Sequence, residues 1–139
     1  MRRTIELVRL RDEEKQLFRE PNFGHLSTVL PDGAPHVAPV WVDVDEEEGL
    51  ILVNTAWGRI KERNVQRDPR AGISITRTEN PYQWVSASGR VVADTEEGAD
   101  EHIDRLAKKY LGKDRYPYRQ PGERRVIIKI RPERVASQI

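Results

Sequence analysis

Residues 23–45, "FGHLSTVLPDGAPHVAPVWVDVD", constrain the fold more than any other stretch, because two β-like runs flank the turn sequence "PDG". Proline fixes φ in the turn and glycine accepts positive φ, so this sequence between apolar runs is typical of a hairpin. We therefore predict paired antiparallel strands over residues 24–30 and 35–45. Pro39 lies inside the second run and removes a ladder donor, which indicates a sheet edge, a bulge or a ligand-facing position.

The rest of the chain alternates further β runs with short helices. Four more predicted strands cover residues 50–55, 71–76, 82–94 and 124–135. The predicted helices cover residues 11–20, residues 59–68 and a segment from the N-cap Thr95 to Gly112. Gly89 is expected to form a bulge or bend in the long fifth strand. This order predicts a mainly β fold, in which six mostly antiparallel strands form a small barrel with short helices at its ends.

The length of 139 residues predicts a single domain over residues 1–139. In it, residues 1–20 form an N-terminal segment with a short helix, and residues 21–139 form the barrel. The charged N-terminal stretch has no apolar h-region, and no run of ~18 apolar residues occurs, so we expect neither a secretory signal nor a membrane span. We therefore expect a cytoplasmic protein. The balance of 24 basic and 23 acidic residues argues against a nucleic-acid partner.

Residue types that carry metal or nucleophilic chemistry are sparse. The chain has no cysteine, which excludes disulfides and thiolate metal ligands. Its three histidines do not share a ligand spacing such as His-x-x-x-His, so no metal site is predicted. There is no Gly-x-Ser-x-Gly motif, and paired carboxylates occur only in solvated runs. We therefore assign no catalytic side chain.

The strand–turn–helix stretch "NTAWGRIKERN", residues 54–64, is the strongest candidate for a binding site. A helix N-terminus offers unpaired N–H groups and a positive pole, which suit an anion. Arg59 and Lys61 add positive charge to this first turn, and Asn54 and Thr55 add donors just before it. Clustered positive charge at a positive pole costs energy unless an anion is bound. The residue pattern leaves one alternative open, a surface helix with i,i+4 ion pairs through Glu62.

Several motifs together resemble a known family. They are Asp-Gly-x-Pro-His, Pro-Val-Trp, Asn-Thr-x-x-x-Arg-x-Lys-x-x-Asn, Arg-Asp-Pro-Arg and Lys-Tyr-Leu-Gly. This combination is similar to the split β-barrel flavin and deazaflavin proteins related to pyridoxamine 5′-phosphate oxidase, and within them to the PPOX-class F-420-dependent oxidoreductases. The resemblance runs from about residue 18 to the C-terminus. It implies an antiparallel split barrel of the FMN-binding type and a homodimer with cofactor sites at the subunit interface.

The resemblance also implies which residues hold the cofactor. Its phosphate would lie against Arg59 and Lys61, and the backbone around Trp41 would run along the tricyclic ring. Asn64 would hold the helix in place, while Trp84 and the loop at Arg115–Tyr116 would complete the site from the partner subunit. The expected cofactor-binding residues are Pro39, Val40, Trp41, Asn54, Thr55, Arg59, Ile60, Lys61, Asn64 and Trp84.

The resemblance implies a coenzyme F-420-dependent reductase, in which the reduced deazaflavin transfers a hydride to a small conjugated substrate. The sequence "RIKERN" departs from the Arg-x-Val-Leu-Leu-Lys pattern of true pyridoxamine phosphate oxidases, so that activity is not expected. Both F-420 and FMN carry a phosphate and a tricycle, so an FMN-dependent oxidoreductase stays open. A non-catalytic flavin-binding or carrier dimer is the third alternative. The polyglutamate tail of F-420 would require further basic residues, for which Arg63, Arg119 and Arg124 are candidates.

Overall fold

The computed structural model describes residues 8–139 and the backbone of residues 2–5. Of the predicted N-terminal segment, residues 1, 6 and 7 lie outside the described part. The described strands are β1 (Arg2–Ile5), β2 (Gly24–Val29), β3 (Pro35–Val40), β4 (Asp43–Val44), β5 (Ile51–Ala56), β6 (Arg70–Arg77), β7 (Asn80–Thr95) and β8 (Arg125–Gln138). The described helices are α1 (Asp12–Arg19), α2 (Ile60–Arg67) and α3 (Ala99–Leu111).

All strands join one antiparallel sheet in the order β3-β2-β6-β7-β8-β5-β4, and β1 pairs with β8 outside this path. The two ends of the path, β3 and β4, are consecutive in the chain and separated only by Trp41 and Val42. Such a connection spans roughly 10 Å, since an extended residue advances at most ~3.6 Å. The sheet must therefore curl until its ends meet, which confirms the predicted barrel, and the opening lies at Trp41.

The prediction of six strands was wrong, because the described residues form eight. The predicted strand over residues 35–45 divides at Trp41, since β3 pairs with β2 whereas β4 pairs with β5 at the opposite end of the sheet. Strand β1 adds the second extra strand through its pairing with the end of β8. The prediction of antiparallel pairing was correct, and so was the hairpin, in which Gly33 has φ 89° in the turn. Pro39 lies on an edge strand, one of the three positions expected for it.

The predicted N-cap of the third helix was also wrong. Thr95 is the last residue of β7, where it pairs with Ile127, and its hydroxyl accepts a hydrogen bond from the N–H of Glu97 at 3.1 Å. The helix begins after Gly98, which has φ 74° and occupies the N-cap position. A threonine followed by acidic residues is typical of a helix start, but its place in the sheet ladder takes precedence here.

The core fills the barrel and the space beneath α1. Leu17 and Phe18 of α1 are fully buried and pack with the valines and isoleucines of the inner sheet face. The long strands β7 and β8 cross the whole barrel, and the bulge predicted at Gly89 is present, although its extra residue is Glu133 of β8 rather than a residue of β7. A Cβ on Gly89 would lie 1.9 Å from the carbonyl oxygen of Arg131, so only glycine allows this close approach.

Candidate functional site

A cavity of about 240 Å³ opens at the split of the barrel, beside the connection from β3 to β4. Its lining residues are Phe23, Pro39, Val40, Trp41, Asn54, Arg59, Lys61, Ile103, Tyr116, Tyr118 and Arg125. They come from the strand ends, the turn into α2, helix α3 and the irregular segment before β8. The sequence predicted six of them, namely Pro39, Val40, Trp41, Asn54, Arg59 and Lys61.

Three cationic side chains converge on this cavity, from Arg59, Lys61 and Arg125. Arg59 donates to Glu123 at 3.4 Å, and Arg125 donates to the same carboxylate at 2.8 Å. Lys61 has no hydrogen-bond or ion-pair partner among the described residues. Burial lowers the pKa of Lys61, and repulsion from the two arginines lowers it further. A bound anion would relieve this repulsion, so the charges of the cavity suit an anionic ligand.

The first turn of α2 brings two of these cations to the cavity. Arg59 is the N-cap residue, and no side chain caps the helix at this position. The carboxylate of Glu62 is buried and accepts a hydrogen bond from the N–H of Gly58 at 3.0 Å, just before the helix. Glu62 forms no ion pair with a basic residue among the described residues. The alternative of a surface helix held by ion pairs through Glu62 therefore does not describe this helix.

A chain of hydrogen bonds positions Arg125. The side-chain oxygen of Asn54 accepts from Nε of Arg125 at 2.9 Å, while its amide group donates to the carbonyl oxygen of Ala99 at 2.9 Å. The same amide lies 3.1 Å from Nδ1 of His102, which must then accept, so the ring proton is on Nε2. Nε2 donates to Asp43 at 3.1 Å. His102 is fully buried and joins β4, β5 and α3 below the cavity.

This network also determines the charge of Asp43. Burial opposes ionisation of the Asp43 carboxyl, but the hydrogen bonds from His102 and from the N–H of Val44 outweigh it and hold its pKa below the usual range. An ionised carboxylate at this position keeps the imidazole proton on Nε2. Asn54 consequently keeps its oxygen toward Arg125.

Aromatic side chains form the other wall of the cavity. The indole of Trp41 stacks on the ring of Tyr110 with a centroid distance of 5.1 Å and an interplanar angle of 3°. Tyr116 meets Trp41 edge-on at 6.0 Å. The Tyr110 hydroxyl accepts from the N–H of Val42 at 3.0 Å and donates to the carbonyl oxygen of Asn22 at 2.6 Å. Burial raises the pKa of Tyr110 to about 12, so the hydroxyl keeps its proton. Its two hydrogen bonds therefore hold the backbone next to Trp41 in place.

Four predicted site residues lie outside this cavity. Thr55 points into the core, where its hydroxyl is buried without a hydrogen-bond partner among the described residues. Asn64 is buried and donates to the Thr28 hydroxyl at 3.0 Å, which ties α2 to β2. Ile60 is exposed at the start of α2, and Trp84 lies in β7 at the level of Gln138. Their roles in cofactor binding stay predictions.

Sequence reasoning missed Arg125, Phe23, Ile103 and Tyr118. The sequence held only part of the signal for Arg125, since neighbouring residues of the strand that "RR" opens face opposite sides, but alternation does not say which of the two faces inward. Arg124 points outward, pairing with Glu96 and stacking at 5.7 Å over Trp57. Arg125 therefore points inward, with only 4% of its surface exposed. Tyr116 was expected to act from the partner subunit, whereas here it lines the cavity of its own chain.

The three arginines considered for a polyglutamate tail differ in their surroundings. Arg119 pairs with Asp100 at 3.0 Å and with Asp104 at 2.8 Å on α3. Arg124 is paired with Glu96, and Arg63 is exposed on α2. Among them, Arg63 is the one whose charge no carboxylate in the described part of the chain neutralises.

The curled antiparallel sheet, with a cationic cavity beside an aromatic wall at its opening, defines a split-barrel fold. The sequence profile of the pyridoxamine 5′-phosphate oxidase family matches residues 10–139. The chain therefore belongs to the pyridoxamine 5′-phosphate oxidase family, and it has the oxidoreductase fold of that family.

Solved structures resemble the chain over nearly its whole length. An F420 reductase is 28% identical with a TM-score of 0.76, over 91% of this chain and 98% of the other. A conserved hypothetical protein from Mycobacterium tuberculosis is 24% identical with a TM-score of 0.71, over 96% of this chain and 87% of the other. General Stress Protein 26 from Bacillus anthracis is 18% identical with a TM-score of 0.64, over 89% of each chain. The last two likenesses concern the fold alone.

Within residues that the structure describes, no group of three or more His, Cys, Asp or Glu side chains could hold a metal ion. No helix of the described chain has the length and apolar character needed to cross a bilayer.

Proposed function

We propose that this protein is a coenzyme F-420-dependent reductase that transfers hydride from the reduced deazaflavin to a small conjugated organic substrate. The observation that carries the proposal is the cation Lys61, which has no partner among the described residues and lies with Arg59 and Arg125 in a cavity lined by Trp41. A phosphate supplies the charge that the three cations lack, and a tricyclic ring matches the flat aromatic wall.

The residues of the chain divide the work of binding. Arg59, Lys61 and Arg125 hold the phosphate by charge-assisted hydrogen bonds, and Asn54 keeps Arg125 in place. Trp41, held in place by Tyr110, orients the tricyclic ring of the cofactor and excludes water from one of its faces. When bound, the reduced cofactor supplies the hydride, so the chain needs no nucleophile or metal of its own. This division agrees with the absence of an assigned catalytic side chain.

Support for F-420 over FMN comes from two directions. The "RIKERN" sequence resembles the deazaflavin branch, and the solved structure that is 28% identical over 91% of the chain is an F420 reductase. FMN remains the second candidate, since the cavity offers either cofactor the same three cations. We further propose a homodimer, in which Trp84 of one subunit approaches the cavity of the other, because Trp84 lies outside the cavity of its own chain.

Titration of the purified protein with F-420 and with FMN, followed by tryptophan fluorescence, tests the proposal. Trp41 is the reporter because it lines the cavity, so Trp41→Phe should remove most of the ligand-dependent change, whereas Trp57→Phe should keep it. We expect micromolar affinity for F-420 and far weaker binding of FMN. The reverse result would replace F-420 with FMN, and binding of neither would refute the proposal.

Turnover separates a reductase from a carrier. Whichever cofactor binds is reduced and mixed with the protein and a cyclic enone. The visible absorbance of the oxidised cofactor is then recorded as it returns. A reductase shows absorbance that returns only when protein and enone are both present. Tight binding without return over a panel of enones and other conjugated acceptors would favour the carrier.

A further inference from the structure

Glu123 is placed among the cations of the cavity. Its carboxylate is only 5% exposed, and its two oxygens accept from different arginines, Oε1 from Arg125 at 2.8 Å and Oε2 from Arg59 at 3.4 Å. A tight turn holds it there, since the N–H of Glu123 donates to the carbonyl oxygen of Gln120 at 3.1 Å and Gly122 has φ 74°. The side chain thus occupies a fixed place beside the anion-binding groups.

The charges around the cavity are therefore only partly balanced. Three cations line it, and none of its lining residues is acidic. Glu123 contacts two of these cations from behind the lining and neutralises one positive charge. The described groups leave a formal charge of +2 for a ligand, of which Lys61 carries one and Arg59 and Arg125 share the other. Any anion that binds here lies close to a carboxylate that repels it.

We propose that Glu123 is a specificity-determining residue, which discriminates against a doubly charged phosphate monoester and in favour of a singly charged phosphate diester. This inference rests on the proposed function, in which a phosphate occupies the cavity. The phosphate of F-420 is a diester, whereas that of FMN is a monoester. Glu123 would therefore help the protein to choose between two cofactors whose rings present the same shape.

The physical reason is that repulsion by Glu123 scales with the charge of the phosphate that lies beside it. A phosphate monoester carries about −1.5 to −2 charges at pH 7, because its second pKa is near 6. A diester has one acidic proton and carries a single negative charge. A fixed carboxylate therefore costs the monoester nearly twice as much binding free energy as the diester, and its removal must benefit the monoester more.

Glu123→Gln tests this by removing the charge while keeping an oxygen that accepts from Arg125. We expect F-420 affinity to rise at least tenfold and FMN affinity at least 100-fold, because at an effective dielectric constant of about 20 a carboxylate has these effects even at roughly 12 Å from the phosphate. The ratio of the two affinities thus shifts by on the order of tenfold toward FMN. Glu133→Gln is the matched control, because it removes the same charge from an exposed ion pair with Arg90 outside the cavity and should leave the ratio unchanged.

Methyl phosphate and dimethyl phosphate repeat the test without a flavin ring. If neither F-420 nor FMN binds but Glu123→Gln shifts the ratio of these two probes toward the monoester, the proposed function fails and the inference stands. If a cofactor binds and the ratio stays unchanged in Glu123→Gln, the inference fails alone. Weaker binding of both probes in a variant with an unchanged melting temperature would show that Glu123 only positions Arg125, which also overturns it. If neither probe binds to the wild type or to Glu123→Gln, the inference is overturned as well.

Discussion

Replacing Lys61 with methionine should stabilise the free protein and weaken its binding of an anion. Lys61→Met keeps the length of the side chain and removes a charge that has no partner in the described structure. Burial and the repulsion of Arg59 and Arg125 already disfavour the ammonium form in the folded state. Removing one unpaired, partly buried charge should raise the free energy of unfolding by on the order of 1 kcal/mol.

The effect on binding has the opposite sign. A charge-assisted hydrogen bond to a phosphate contributes about 1.5–3 kcal/mol. At ~1.4 kcal/mol for each factor of ten, Lys61→Met should weaken the binding of F-420, or of FMN, by about 10- to 150-fold. The loss should shrink at high salt, because exposed parts of the cation cluster are screened.

The pH dependence gives an internal check. The pKa of Lys61 is lowered in the folded state, so the unfolded chain binds more protons and stability rises as pH increases through the folded pKa. The stability advantage of Lys61→Met should therefore be largest near neutral pH and should decrease as the pH is raised toward 10, near the usual lysine pKa of ~10.4.

Urea denaturation and ligand titration of the same samples measure both effects. Lys108→Met is the matched control, since Lys108 is an exposed lysine on α3 whose ion pair to Asp114 at 3.4 Å lies in solvent. It should change stability and affinity little. A Lys61→Met protein that is less stable than the wild type, or that binds the cofactor with unchanged affinity, would refute this account of the cavity.

Three further substitutions probe the surrounding structure. Gly89→Ala should destabilise the fold by about 3 kcal/mol or more, or abolish soluble expression, because its Cβ would overlap the carbonyl oxygen of Arg131. Tyr110→Phe removes two backbone hydrogen bonds and should cost ~1–3 kcal/mol in urea denaturation, with altered Trp41 fluorescence. Burial and the neighbouring Glu62 raise the pKa of Asp94 to about 6. The protonated carboxyl therefore stabilises the fold fully below pH ~4, and this stabilisation is lost as the pH rises through 6. Asp94→Asn should gain stability relative to wild type as the pH rises over that interval, because asparagine does not titrate. Thermal melts of both proteins across this pH range measure the difference, and a difference that stays constant would contradict the prediction.

Features that depend on a few adjacent residues could be predicted from the sequence. The hairpin around "PDG" and the bulge at Gly89 each follow from local backbone preferences, and both are present. The start of α2 also followed from local signals, and it carries Arg59 and Lys61 to the cavity. Local chemistry thus predicted the part of the site that lies in the continuous stretch 54–64, namely Asn54, Arg59 and Lys61.

Features that depend on pairing between distant strands could not be predicted. The strand expected over residues 35–45 breaks at Trp41 because its two parts pair at opposite ends of the sheet. Arg125 enters the cavity because it opens β8 opposite Ala56, the last residue of β5. Nothing near Arg125 in the sequence specifies this register, so its inward orientation depends on the closed barrel.

The partners of the charged residues in the first turn of α2 distinguish an anion site from a surface helix. A helix stabilised by surface ion pairs would give its basic residues carboxylates one turn away. Instead, Arg59 pairs with Glu123 from a distant loop, Glu62 turns inward to the N–H of Gly58, and Lys61 has no partner among the described residues. Such an arrangement should lower the stability of the free protein, and a bound anion would offset that cost. The cluster is therefore better explained by selection for binding than by selection for the helix.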